Sequence, residues 1–131
     1  MHLLDTNTVS YAMRGRPPRV AERMAQRPQL RMAVSVITEA ELLYGATRRV
    51  ASPGLRAAVE AFLFQVEVVD WDRAAAHICG PLRAQLELDR TPLDDIDTLI
   101  AAHALALNAV LVTSDRAFAR VPGLRTEDWT V

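Results

Sequence analysis

The chain has 131 residues, half of them hydrophobic and 24% charged, a balance that excludes a disordered chain and suits one domain, residues 1–131, burying about two-thirds of its unfolded surface. The formal net charge is −1, so no global positive excess marks a nucleic-acid binder. The longest apolar stretch, Leu99 to Val112, is broken by His103 and Asn108 and falls short of the ~20 residues of a membrane span; with no secretory leader pattern and one cysteine, Cys79, that cannot pair within the chain, a cytoplasmic protein with no membrane contact is expected.

Residues 2–4 read as a buried first strand, followed by a short helix from about Thr8 to Met13. Gly15-Arg16-Pro17-Pro18 breaks the chain before a short amphipathic helix, Arg19 to Gln26, closed by Pro28. Met32 to Val36 is a second strand and Thr38 to Arg49 a second main helix. Ser52-Pro53-Gly54 precedes another helix reaching about Phe64, and Val66 to Val69 is a third strand. Asp72 is a good N-cap for a helix from Arg73 to about Leu88. Thr91-Pro92-Leu93-Asp94 opens the next helix, with proline at its first position and Asp94 at its third; it runs to about Leu107, where Asn108 stops it. Ala109 to Thr113 is a fourth strand, and a short fifth lies near Leu124-Arg125-Thr126. Strands apolar on both faces and alternating with helices predict an α/β fold of three layers, α/β/α, around a mostly parallel sheet of about five strands.

Acidic residues recur where such a fold ends its strands and begins its helices: Asp5 after the first strand, Glu39 and Glu41 after the second, Asp94, Asp95 and Asp97 at the start of a long apolar helix, and Asp115 after the fourth strand. Ligand sites of open parallel sheets form beyond the carboxyl ends of their strands. Carboxylates converging there repel one another unless a cation lies between them, and oxygen-only ligation suits magnesium or manganese. The pattern reads as a metal-dependent phosphate-cleaving site. Each acid also has a plainer use. Asp5 could cap the helix near Thr8, Thr38-Glu39-Ala40-Glu41 fits a capping box, Asp94 could cap its helix, and Asp115 could cap a short helix near Arg116 to Phe118. Asn7 could hydrogen-bond carboxylates or cap a helix. Thr113 and Ser114 offer hydroxyls to a carboxylate or a phosphate. Small residues at Ala101 and Ala104 would bring the helix of Asp97 close to the sheet. His77 and His103 lie in apolar helices and read as packing residues.

All 15 basic residues are arginines. Six of them (Arg14, Arg16, Arg19, Arg23, Arg27, Arg31) fall in one segment with a single acid, Glu22. Arginine grips phosphate oxygens in pairs, so this segment reads either as a basic arm beside the acidic pocket or as a solvated helix face.

In order, Leu3-Leu4-Asp5-Thr6-Asn7, Glu41-Leu42-Leu43-Tyr44-Gly45, Asp97-Thr98-Leu99-Ile100-Ala101-Ala102 and Val112-Thr113-Ser114-Asp115 resemble the successive motifs of PIN-domain ribonucleases, and most closely the VapC toxins of bacterial VapBC toxin–antitoxin pairs. The resemblance spans essentially the whole chain. It implies a PIN-like fold and a magnesium- or manganese-dependent endoribonuclease. It selects Glu41 over Glu39 and Asp97 over its neighbours, so that Asp5, Glu41, Asp97 and Asp115 become the catalytic and metal-binding acids. Thr6, Asn7, Asp94, Thr113 and Ser114 are the implied supporting residues. It further implies a cognate VapB-like antitoxin, a homodimer and a structured RNA substrate. The closing Leu124-Arg125-Thr126-Glu127-Asp128-Trp129 is similar to enzymes that cut initiator tRNA. Apolar surface at Leu42, Leu43, Tyr44 and Phe62-Leu63-Phe64 fits a dimer. A phosphotransfer receiver would need a lysine on a late strand, and the chain has none. A non-catalytic RNA- or protein-binding domain on the same scaffold is the rival reading.

Overall fold

The computed structural model describes residues 1–48, 50 and 52–131. Five strands, β1 (His2–Leu4), β2 (Met32–Ser35), β3 (Glu67–Val69), β4 (Val110–Val112) and β5 (Thr126–Glu127), form one sheet in the order β3-β2-β1-β4-β5. All four pairings are parallel. Six helices connect them: α1 (Thr6–Arg14), α2 (Pro18–Gln26), α3 (Val36–Thr47), α4 (Leu55–Gln65), α5 (Arg73–Leu88) and α6 (Asp95–Ala106).

Alternation along each strand builds the two faces. Leu3, Ala33 and Leu111 point to a core shared with Leu82 and Leu86 of α5 and Ile100, Ala101 and Ala104 of α6. Leu4, Val34 and Val112 point the other way, to Val9, Val20, Leu42, Val59 and Trp129. Helices α1, α2 and α4 therefore cover one side of the sheet and α5 and α6 the other, as the expected three-layer arrangement requires. Ala101, Ala102 and Ala104 are fully buried, so α6 lies close against its neighbours. Ala101→Leu should force that helix outward and cost about 1–3 kcal/mol, read as a lower denaturant midpoint.

Several boundaries move. Asp5 caps α1, its side chain accepting from the Thr8 amide at 2.8 Å, so the helix begins at Thr6 rather than Thr8. Ser35 caps α3 by accepting from the Ile37 amide. Val36 is thus helical rather than the last residue of β2, and Glu41 is not the acid of a capping box. Asp94 caps α6, accepting from the Asp97 amide at 2.8 Å, which leaves Pro92 outside the helix. Helix α3 ends at Thr47; Arg49, its expected end, lies outside the described residues. Asn108 takes a left-handed φ of 51°, and its amide and that of Ala109 close on Leu105 and Ala104, ending α6 as anticipated. His103 is buried, but His77 is exposed because α5 presents only one face to the core. No described helix is long and apolar enough to cross a membrane.

Candidate active site

Strand β1 sits in the middle of the sheet, with β2 on one side and β4 on the other. The chain runs from β1 outward through β2 to β3 and then crosses back to β4 on the other side of β1, so a crevice opens beyond the carboxyl end of β1 at this reversal of strand order. A cavity of about 300 Å³ occupies that crevice, lined by Asp5, Thr6, Asn7, Glu41, Asp94, Asp97 and Asp115, with Ile100 and Phe118 as its apolar wall. The four acids selected from the sequence thus come from four different elements to one place. Asp94 joins them. Asp95 does not: it turns to Arg83 on α5, 3.6 Å away. Glu39 is absent from the lining.

Asp5, Glu41, Asp94 and Asp115 each accept from a local donor. Asp5 is only 8% exposed, and burial pushes its pKa up. Hydrogen bonds from Thr113 and Thr8 pull it back, and the Asp115 charge adds a smaller rise. The Asp5 amide donates to the Val112 carbonyl at 3.1 Å and the Thr8 hydroxyl to the same carbonyl at 3.0 Å, clamping the end of β1 to β4. The Thr6 hydroxyl donates to Glu41 Oε1 at 2.5 Å and lies 3.2 Å from the Thr38 hydroxyl. Asp115 Oδ1 accepts from the Ala117 amide at 2.9 Å, capping a 3-10 turn, Arg116–Arg120. The Asp115 amide donates to the Thr113 hydroxyl at 3.1 Å. Each plainer capping use of Asp5, Asp94 and Asp115 is therefore real, and coexists with a place in the cleft.

Asp97 carries the clearest electrostatic signature. Its pKa is pushed up to about 7, by desolvation first and then by the neighbouring charges of Asp94, Asp115 and Asp5. One proton can thus remain among these acids near neutral pH. Among the described residues no three His, Cys, Asp or Glu side chains form a ready ligand set. The carboxylates share a cavity without closing on one point, and closing them would bring like charges together unless a cation balanced the charge.

Sequence reasoning missed Thr8, Thr38, Ile100 and Phe118. The threonines were hidden by their resemblance to ordinary caps, and the apolar pair by its resemblance to core. Ser114 faces away, into a neighbouring cavity. The basic segment does not reach the acids: none of its six arginines lines the cleft. Arg31 makes a two-pronged pair with Glu67 at 2.8 Å, and Arg27 lies 3.9 Å from Glu127. Arg23 donates to the carbonyls of Asp128 and Val131.

A parallel sheet whose switch-point crevice is lined with carboxylates, and has no cationic side chain among its described lining residues, defines a class of acid-centred α/β nucleases. Comparison with known proteins narrows it. Residues 2–124 match the PIN domain family. A tRNA(fMet)-specific endonuclease VapC from Salmonella typhimurium is 41% identical over 128 residues, 97% of this chain and 96% of that one. Its Shigella flexneri counterpart of the same name is 38% identical over 129 residues, 98% and 97% of the two chains. Among solved structures, a DNA-bound VapBC complex from Salmonella typhimurium contains a chain that superposes with a TM-score of 0.90 at 40% identity, covering 98% of this chain and 97% of that one. The chain belongs to the PIN-domain family and, within it, to the VapC ribonuclease toxins.

Proposed function

We propose that this protein is the toxin of a type II toxin–antitoxin pair and hydrolyses RNA phosphodiester bonds as a divalent-metal-dependent endoribonuclease acting on tRNA. The observation that carries the reading is the delivery of Asp5, Glu41, Asp97 and Asp115 from four elements to one cavity. The tRNA substrate is supported by the names of relatives matched almost end to end. A VapB-like antitoxin partner is supported by similarity to chains solved as VapBC complexes.

The donor set fits magnesium or manganese, since it offers carboxylate oxygens and neither sulfur nor imidazole. Asp5, Glu41, Asp97 and Asp115 would hold the ion. When bound, such an ion supplies a lowered pKa for an attacking water and charge neutralisation at the scissile phosphate. The chain's residues do the rest. Asp5 is held at the end of β1 by its cap on the Thr8 amide and by the hydrogen bond from Thr113, and it lines the cavity. Thr6 orients Glu41. Asp97, its pKa pushed up to about 7, shares a proton with its acidic neighbours near neutrality and would be favoured in its charged form by a bound cation. Ile100 and Phe118 keep one wall dry, and Asn7 and Asp94 border the mouth. In this reading water, rather than a side chain of the cleft, attacks the phosphate.

Residues 1–131 act as one domain, consistent with one sheet covered on both faces. A tRNA substrate implies work in the cytoplasm. We further read the toxin as a homodimer, since Tyr44 is 70% and Phe64 92% exposed, whereas Leu42, Leu43, Phe62 and Leu63 pack against the core.

The test is incubation of the purified protein with total tRNA. Magnesium or manganese should support cutting and excess chelator should abolish it; cleavage undiminished in chelator would overturn the mechanism. Thr6→Val, which keeps the shape but removes the donor to Glu41, should lower the rate about 10–100-fold with the fold intact. An unchanged rate would show that Glu41 needs no such support.

A further inference from the structure

A second cavity, of about 260 Å³, adjoins the acidic one, and Asp115 lines both. Its other polar lining residues are Thr113, Ser114, Arg116, Thr126 and Asp128. We propose that this cavity binds a phosphate of the RNA strand next to the scissile one, with Arg116 as its charged contact and Ser114 and Thr126 as hydroxyl donors. The inference rests on the ribonuclease reading and adds to it a substrate-positioning residue.

The argument begins with charge. RNA is a polyanion, and the acidic cleft carries no cationic side chain among its described lining residues. Holding a strand there needs positive charge close by, and phosphate contacts supply most of such binding. Among the described residues Arg116 is the only cation lining either cavity. It is also uncommitted. Arg31, Arg56 and Arg83 are engaged by Glu67, Glu60 and Glu87, while among the described residues Arg116 makes no ion pair or hydrogen bond. The hydroxyls of Ser114 and Thr126 are equally unengaged there. The acids of the second cavity are turned to local donors: Asp128 Oδ1 accepts from the Thr130 amide at 2.8 Å and its hydroxyl at 2.5 Å, and Asp115 Oδ1 from the Ala117 amide. Each acid keeps its second oxygen, so the cavity offers a planar guanidinium and two hydroxyls beside two carboxylates; the guanidinium fork and the hydroxyls are the groups that match phosphate oxygens. Because Asp115 belongs to both cavities, a strand with its scissile phosphate among the acids can place the next one here.

The experiment uses the full chain and two readouts. In the first, binding of a short labelled single-stranded RNA is followed in chelator over a range of salt. Arg116→Ala should weaken it about tenfold and reduce the slope of log K against log salt by about 0.7, the value of one single-strand phosphate contact. Arg116→Lys should keep the slope and recover part of the affinity. In the second, cleavage is measured on an oligonucleotide with one neutral methylphosphonate linkage beside the cut bond. The neutral linkage should raise the wild-type KM about tenfold with kcat within about twofold, and should do nothing further in Arg116→Ala. Since Arg116 is exposed, both variants should melt with the wild type. An unchanged salt slope in Arg116→Ala, or full sensitivity of that variant to the neutral linkage, would overturn the proposal. A wild type that binds but never cuts would instead overturn the ribonuclease reading, and the binding arm would still decide the subsite.

Discussion

Asp5→Asn and Asp97→Asn should each lower RNA cleavage by at least about 100-fold while leaving the metal-free protein as stable as the wild type or more so. The two effects have one cause. Neutralising either acid removes a ligand, and it also removes a charge from a cleft where Asp5, Asp94, Asp97 and Asp115 already repel. Asparagine keeps the shape, so the cap of α1 on the Thr8 amide survives in Asp5→Asn. Magnesium at 100 times its dissociation constant should stabilise the wild type by about 2.7 kcal/mol, and the variants by less. Melting and cleavage measured side by side separate a catalytic role from a structural one. Full activity in Asp5→Asn would refute the proposed acidic site. A large loss of metal-free stability would mean that the acid serves the fold.

Cleavage should fall about tenfold per pH unit below about 7, because the proton on Asp97 competes with the cation. The same shift carries the opposite sign for stability without metal. A carboxylate whose folded pKa lies above its unfolded value binds protons more readily in the native state. Metal-free stability therefore rises as pH drops from 8 toward 6.5 and is lost as pH climbs through about 7. Asp5, also raised by burial, acts in the same direction at lower pH. His103 opposes both. Among the described residues neither of its buried ring nitrogens completes a hydrogen bond, and burial lowers its pKa despite the nearby Asp70 backbone and Asp72. Below about pH 6.5 the unfolded chain takes up that proton first, and stability is drawn down. Denaturant midpoints across pH 6.5 to 8 should slope in the wild type and flatten in Asp97→Asn. Equal slopes would remove Asp97 as the titrating group.

Strands were readable because burial on both faces demands unbroken apolar runs, as in Leu3-Leu4 and Val110-Leu111-Val112. Asp5 and Asp115 were readable because such runs end near them, whereas Glu41 and Asp97, inside helices, were singled out among neighbouring acids only by the family resemblance. Helix starts were not, since Asp, Ser and Thr crowd every junction: Ser35 and Thr38 are equally good caps on paper, and only the backbone direction leaving β2 decides for Ser35. Which of the two readings of the basic segment holds was hidden for a nonlocal reason. Arg31 finds Glu67 through the β2–β3 pairing, a contact that spacing along the chain does not display. The support of Glu41 by Thr6 crosses 35 positions and was hidden in the same way.

The clamp between β1 and β4 has a consequence for how the toxin is made. Asp5 is translated almost at once, yet its seat depends on Val112, and Asp115 arrives later still. Until that part of the polypeptide clears the exit tunnel, β1 lacks one of its two flanking strands and no cleft exists. A nascent fragment that stops before β4 is therefore expected to lack the proposed nuclease site, however complete its first three strands are.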